Sequence, residues 1–167
     1  EMIQGLVTKL EKNPADAEGW RMLAWSYFNT ERYADSANAY AKAVALDGTH
    51  ADVWSTYGEA LVRSASGLVG PDAIKAFDSA LAIDPKDPRA RFFKGMAQEQ
   101  AGDPKGAMEA WIAVASDAPA GADYLPGLIE RIKEIAAANK FDLGDRLAKF
   151  DQPAQAATGD AALAVWC

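Results

Sequence analysis

The 167-residue sequence holds one cysteine, Cys167, and one histidine, His50. A lone cysteine forms no intramolecular disulfide and supplies no paired-thiolate zinc spacing. His50 sits in GTHADVW, at a turn between helical segments, with no second His or Cys near it in sequence. It reads as a solvated turn residue. A nucleophile–His pair would have to use His50, and no nucleophile accompanies it. GxSxG, HExxH, CxxC and a glycine-rich loop between strand and helix are all missing. No enzyme activity, metal site or cofactor is therefore expected.

Long apolar runs are absent too. No stretch of about 18 apolar residues is present, so membrane insertion by this chain is not expected. Nor is a signal peptide visible. The chain opens inside a helix, EMIQGLVTKL, which suggests an excised part of a longer protein whose anchor or export signal lies elsewhere. Positive charge is scarce: 17 Lys and Arg stand against 24 Asp and Glu, for a net charge of −7. A phosphate backbone or an anionic membrane would be repelled, so nucleic acid is excluded as the main partner. The carboxylates read as solvated faces of amphipathic helices.

What remains is repetition. Trp20 recurs as Trp54, Ala73 as Ala107, Phe77 as Trp111, Ala80 as Val114 and Pro85 as Pro119, each 34 positions on. A period of 34 with these residue types resembles the tetratricopeptide (TPR) repeat, a pair of antiparallel helices. The expected fold is all-α: a right-handed superhelical array of about three helix pairs, with a preceding helix and a C-terminal capping helix.

The boundaries follow from periodicity and punctuation. Met2, Ile3, Leu6, Val7 and Leu10 mark a helix over 1–12, stopped at Asn13-Pro14. Repeats are expected at about 16–47, 51–85 and 88–119, with Asp16 and Asp87 as helix N-caps. Trp20, Leu23, Ala24 and Tyr27 form the inner face of the first helix. Tyr40 to Phe77 and Gly58 to Gly95 are 37 apart, not 34, which places a three-residue insertion in VRSASGLVGPD. Arg91 and Lys94 stand where apolar residues are usual. Leu125, Leu128, Ile129, Ile132 and Ile135 make a capping helix over 122–139, expected because a stacked array leaves its last apolar face bare. These elements form one domain, 1–140. The tail, 141–167, is expected to be partly disordered or docked, with DQPAQAATGD a linker and AALAVWC a short apolar end.

An array of this kind works through its concave face, lined by the first helix of each pair. The Trp20/Trp54 register places Arg21, Trp25 and Phe28 there from repeat one, with Glu59, Val62 and Arg63 from repeat two. Repeat three contributes Arg89, Phe92, Met96 and Glu99. Apolar side chains rimmed by charge suit an amphipathic helix, and arginine can hold a carboxylate with two hydrogen bonds. Trp25 and Phe28 have a second reading, as seals packed against helix 1–12. Phe92 and Met96 are expected on the groove, outside the core that Trp20, Leu23 and Tyr27 fill.

The opening MIQGLVTKLEKNPADAEGWRMLAWSY, with its helix ending in L-E-x-N-P and then D-A-E-G-W-x-M-L-A-x-S-Y, resembles a particular family. It looks like the TPR domain of the c-type cytochrome maturation chaperones, the periplasmic part of the apocytochrome-binding subunit of the haem-ligation machinery. The longer second-repeat turn, followed by AIKAFDSALAIDPKDPRARFFKGMAQEQAGDPKGAMEAW, carries the resemblance to about residue 140. The resemblance implies a periplasmic domain tethered to the inner membrane. It would hold unfolded apocytochrome c by its C-terminal helix and present it to haem-lyase subunits. The Lys/Asn carboxylate clamp of heat-shock co-chaperones is not matched: Arg21, Trp25, Ser55 and Glu59 stand at the corresponding positions. A scaffold in another bacterial envelope assembly, or a self-assembling adaptor, are the alternatives.

Overall fold

The computed structural model describes residues 1–151. Cys167 and the apolar end, with all of the expected linker except Asp151, lie outside the described residues. Eight α-helices follow one another without a strand among the described residues: α1 Met2–Lys12, α2 Ala17–Asn29, α3 Tyr33–Leu46, α4 Ala51–Ser64, α5 Pro71–Ile83, α6 Pro88–Gln100, α7 Pro104–Asp117 and α8 Leu125–Asn139. The helices α2/α3, α4/α5 and α6/α7 are the three pairs, α1 precedes them and α8 closes the array, an all-α repeat fold.

Local chemistry fixes the helix starts. The side chains of Asp16, Asp87 and Asp103 accept hydrogen bonds from the backbone N–H groups of Gly19, Ala90 and Gly106 at 2.9, 2.8 and 2.8 Å. Each such cap stabilises a helix by about 1 kcal/mol. Pro71, Pro88 and Pro104 stand in the first turns of α5, α6 and α7, where a missing N–H costs nothing. Gly102, at φ +89°, turns the chain between α6 and α7, a conformation that favours glycine.

Within each pair a small residue on the first helix meets a ring on the second. A Cβ at Gly58 would overlap the Phe77 ring, and one at Gly95 would lie 2.5 Å from Trp111 Nε1. Ala24 and Tyr40 hold the same register in the first pair, and both are buried. The tryptophans that define the period do something else. Trp20 and Trp54 are half-buried, and their Nε1–H groups donate to the carbonyls of Pro14 and Gly48, each at 2.9 Å. Each pins a helix to the turn before it.

Two hydrophobic clusters result among the described residues, one around Leu10, Leu23, Ala24 and Tyr40, the other around Phe77, Phe93, Trp111 and Ile132. Trp54 and Leu61 pack against both. The departures Arg91 and Lys94 are tied to neighbouring helices, Arg91 to Asp117 at 2.9 Å and Lys94 to Asp78 at 2.5 Å. The insertion is ordered by Gln100, which accepts from Val69 N–H at 3.0 Å and donates to Gly67 C=O at 2.8 Å. Past α8, Phe141, Leu143, Leu147 and Phe150 pack onto the second cluster, and Arg146 reaches Glu109 with two hydrogen bonds of 2.8 and 2.6 Å.

Candidate functional site

The first helices of the pairs, α2, α4 and α6, together with α8, present a seam of charged side chains. Glu59 of α4 is 1% exposed. Its Oε1 lies 2.8 Å from Arg63 Nη2, and its Oε2 lies 2.9 Å from Arg89 Nε of α6. Arg89 also donates to Thr56 Oγ1 at 2.5 Å, and Ser55 donates to Asp87 at 3.2 Å. One step on, Glu99 of α6 meets Arg131 of α8 at 2.5 Å. Burial pushes the Glu59 carboxyl above its ordinary range, while Arg89 and Arg63 pull it back.

This seam corrects part of the expected groove. Phe92 is 3% exposed and stacks on Trp111 at 5.4 Å between ring centres. It belongs to the core because the large indole of Trp111 reaches under α6 and donates to Phe92 C=O at 2.9 Å. Val62 is buried in the same cluster and Met96 packs half-buried against it. Glu59 is a buried structural charge, not a groove-surface acid. Arg63, Arg89 and Glu99 line the seam as members of ion pairs.

Between α2 and α4 the arrangement differs. Among the described residues no ion pair joins these two helices, and a cleft of 360 Å³ opens there, lined by side chains that include Arg21, Met22, Trp25, Asp52, Thr56 and Arg89. Met22 and Trp25 are 50% and 49% exposed at its rim. Trp25 stacks on Phe28 at 5.9 Å, and Phe28 in turn meets Tyr33 edge-on at 5.4 Å. Arg63 lies over both the Phe28 and Tyr33 rings, at 5.6 and 5.7 Å. Trp25 is thus held at the cleft, and only Phe28 of the pair also packs against the first core cluster. Arg21 is paired with Glu18 on the surface at 2.8 Å.

Four residues of the cleft, Met22, Tyr40, Val53 and Thr56, escaped the sequence reading. Met22 falls one position from the expected groove register, although its neighbours Arg21 and Trp25 mark the same face. Tyr40, 3% exposed, reads from periodicity as a core ring, and it also lines the cleft from below. Burial raises its phenol well above the ordinary value; Arg89 and Arg21 oppose that shift, and Glu59 and Asp52 add to it. The hydroxyl therefore stays protonated. Among the described residues no cluster of three or more His, Cys, Asp or Glu side chains is arranged to hold a metal ion. No helix among them is long and apolar enough to cross a membrane.

Residues 1–123 match the model of the family described as the cytochrome c-type biogenesis protein H TPR domain. The cytochrome c-type biogenesis protein CycH of Rhizobium meliloti is 38% identical over 137 residues, covering 80% of this chain and 36% of that protein. CycH of Bradyrhizobium diazoefficiens is 37% identical over 117 residues, covering 70% of this chain and 32% of its own length. The chain thus spans about a third of the curated relatives it matches. Among solved structures, MamA superposes with a TM-score of 0.69 at 21% identity, covering 89% of this chain and 81% of that one. PcrH, solved in complex with the chaperone-binding region of PopD, does so at 0.61 and 18%, covering 73% and 92%. At these identities the structural likenesses carry the fold alone.

Proposed function

Because this chain belongs to the cytochrome c-type biogenesis protein H TPR family, with a role in cytochrome c maturation, we propose that its concave face binds the C-terminal helix of unfolded apocytochrome c and delivers it to the haem-ligation machinery. The domain works as a non-catalytic adaptor in the periplasm, tethered to the inner membrane by a part of the protein outside this sequence. The observation that carries the reading is the α2/α4 cleft. Met22 and Trp25 stay half exposed at its rim, beside paired charges. An apolar rim over a polar floor fits one face of an amphipathic helix, and methionine adapts to irregular partners. PcrH, of like fold, was solved with a segment of another protein bound, which supports a peptide-holding role for this architecture.

An unfolded client pays its ordering entropy on docking, which favours release over very tight capture. The test is calorimetric titration with a synthetic peptide from the C-terminus of a c-type cytochrome of the same organism. Saturable binding that weakens in Trp25→Ala supports the reading. Absence of binding contradicts it.

A further inference from the structure

The three ring positions of the repeat differ in one polar detail. Tyr40, Phe77 and Trp111 occupy equivalent places on α3, α5 and α7, and all are buried, at 3%, 0% and 0% exposure. Phe77 has no polar atom on its ring. Trp111 donates its N–H to Phe92 C=O. Tyr40 carries a hydroxyl with no hydrogen-bond partner among the described residues, and it lines the α2/α4 cleft. A core ring in this repeat needs no hydroxyl, as Phe77 demonstrates. A buried polar group without a partner is costly, so the hydroxyl bonds to solvent while the cleft is empty. Whatever displaces that solvent must replace the bond.

The charges around the cleft narrow the ligand's chemistry. Of the charged residues that line the cleft, Glu18 and Asp52 are matched in number by Arg21 and Arg89; Glu18 is already paired with Arg21, and Arg89 with Glu59 behind the cleft. The formal charges cancel, which gives a fully charged group no net attraction. What the floor offers is a neutral O–H donor. The matching ligand group is a neutral oxygen acceptor. The last turn of an α-helix presents several, because its final four carbonyls lack partners within the helix and carry only partial negative charge. Its apolar side chains would lie against Trp25 and Met22.

We infer that Tyr40 is the specificity-determining residue of the cleft, donating its hydroxyl hydrogen to an open backbone carbonyl in the last turn of a helix that enters C-terminus first. This rests on the proposed binding of a client's C-terminal helix and adds which atoms are read.

The experiment uses the whole chain and the cytochrome C-terminal peptide by calorimetry. Tyr40→Phe keeps the residue that the second repeat uses at this position, so folding is retained, with thermal unfolding as the check. Three outcomes are expected. Tyr40→Phe weakens binding about three- to tenfold, the net worth of one hydrogen bond. Amidating the peptide's C-terminus changes affinity by less than about twofold, because its carbonyls remain. Extending the helix by four alanines, which moves the open carbonyls one turn away, costs wild type about as much as Tyr40→Phe does. Unchanged affinity in Tyr40→Phe overturns the inference while leaving the binding function standing. So does unchanged affinity for the extended peptide, which would assign recognition to a side chain. A tenfold loss on amidation overturns it in favour of the terminal carboxylate. No binding by wild type overturns both this inference and the function it rests on.

Discussion

Glu59 and Arg89 join two helices that are not consecutive in the chain: the carboxylate of α4 meets the guanidinium of α6 directly at 2.9 Å, with α5 between them only in sequence. A buried charge in this position is stable only while its partners stay. Arg89→Met should cost about 3–5 kcal/mol at neutral pH, because the 1%-exposed carboxylate is left with Arg63 alone. Urea unfolding measures it.

The same pair has a pH signature. Burial holds the folded Glu59 pKa above its unfolded value, with Arg89 and Arg63 opposing. A raised folded pKa means the group's contribution is fully present below the unfolded value and is lost as pH rises through the folded one. Arg89→Met removes an opposing charge and raises the folded pKa further. Its deficit relative to wild type should therefore be largest near pH 7 and shrink toward pH 4. A deficit that grows on acidification would contradict the attraction between Arg89 and the ionised Glu59 carboxylate.

Gly58 and Phe77 give a steric prediction. A methyl at Gly58 overlaps the Phe77 ring, and overpacking of this kind costs about 1–3 kcal/mol. Gly5, whose added Cβ meets nothing within 4 Å, is the internal control. Gly5→Ala in α1 should stabilise by up to about 1 kcal/mol through helix propensity alone. Thermal unfolding of the two variants separates them by sign.

Trp54 tests the role of the residue that marks the period. Its N–H donates to Gly48 C=O at 2.9 Å. Trp54→Phe should lose about 1 kcal/mol for the missing hydrogen bond, with further loss from the smaller ring. Amide hydrogen exchange should show the effect concentrated in the 47–51 turn.

How much of this was legible in the sequence depends on which residues carry it. The helix pairs and the insertion were readable because glycine, alanine and ring residues recur at fixed spacing, and because aspartate and proline mark starts. The burial of Phe92 is not legible, because a ring on the first helix looks surplus once Trp20, Leu23 and Tyr27 are assigned inward. The larger Trp111 changes the packing of that pair, and this is a three-dimensional fact. Glu59 reads as one more acidic groove residue, because burial of a carboxylate depends on arginines four and thirty positions away. Which tail residues pack on the core, Phe141, Leu143, Leu147 and Phe150, is not legible for want of helical periodicity. The cleft is half legible: Arg21, Trp25 and Arg89 follow from the register, while Tyr40 is hidden among the core rings.

Phe92 and Trp25 also separate stability from binding. Phe92→Ala removes a buried ring and should cost about 3–5 kcal/mol. Trp25, half exposed and held by stacking on Phe28, should lose no more than about 1 kcal/mol as alanine. Chemical denaturation of the two variants checks this, and it makes Trp25, not Phe92, the usable probe of the groove.

The most direct test of the central claim is therefore titration of an apocytochrome c C-terminal peptide into wild type and Trp25→Ala, by calorimetry, with both proteins shown to be folded. A concave binding face predicts saturable one-to-one binding by wild type, weakened about tenfold or more in Trp25→Ala, whose exposed indole is the anchor at the cleft rim. Equal affinity for the two proteins, or no binding by wild type, would contradict it.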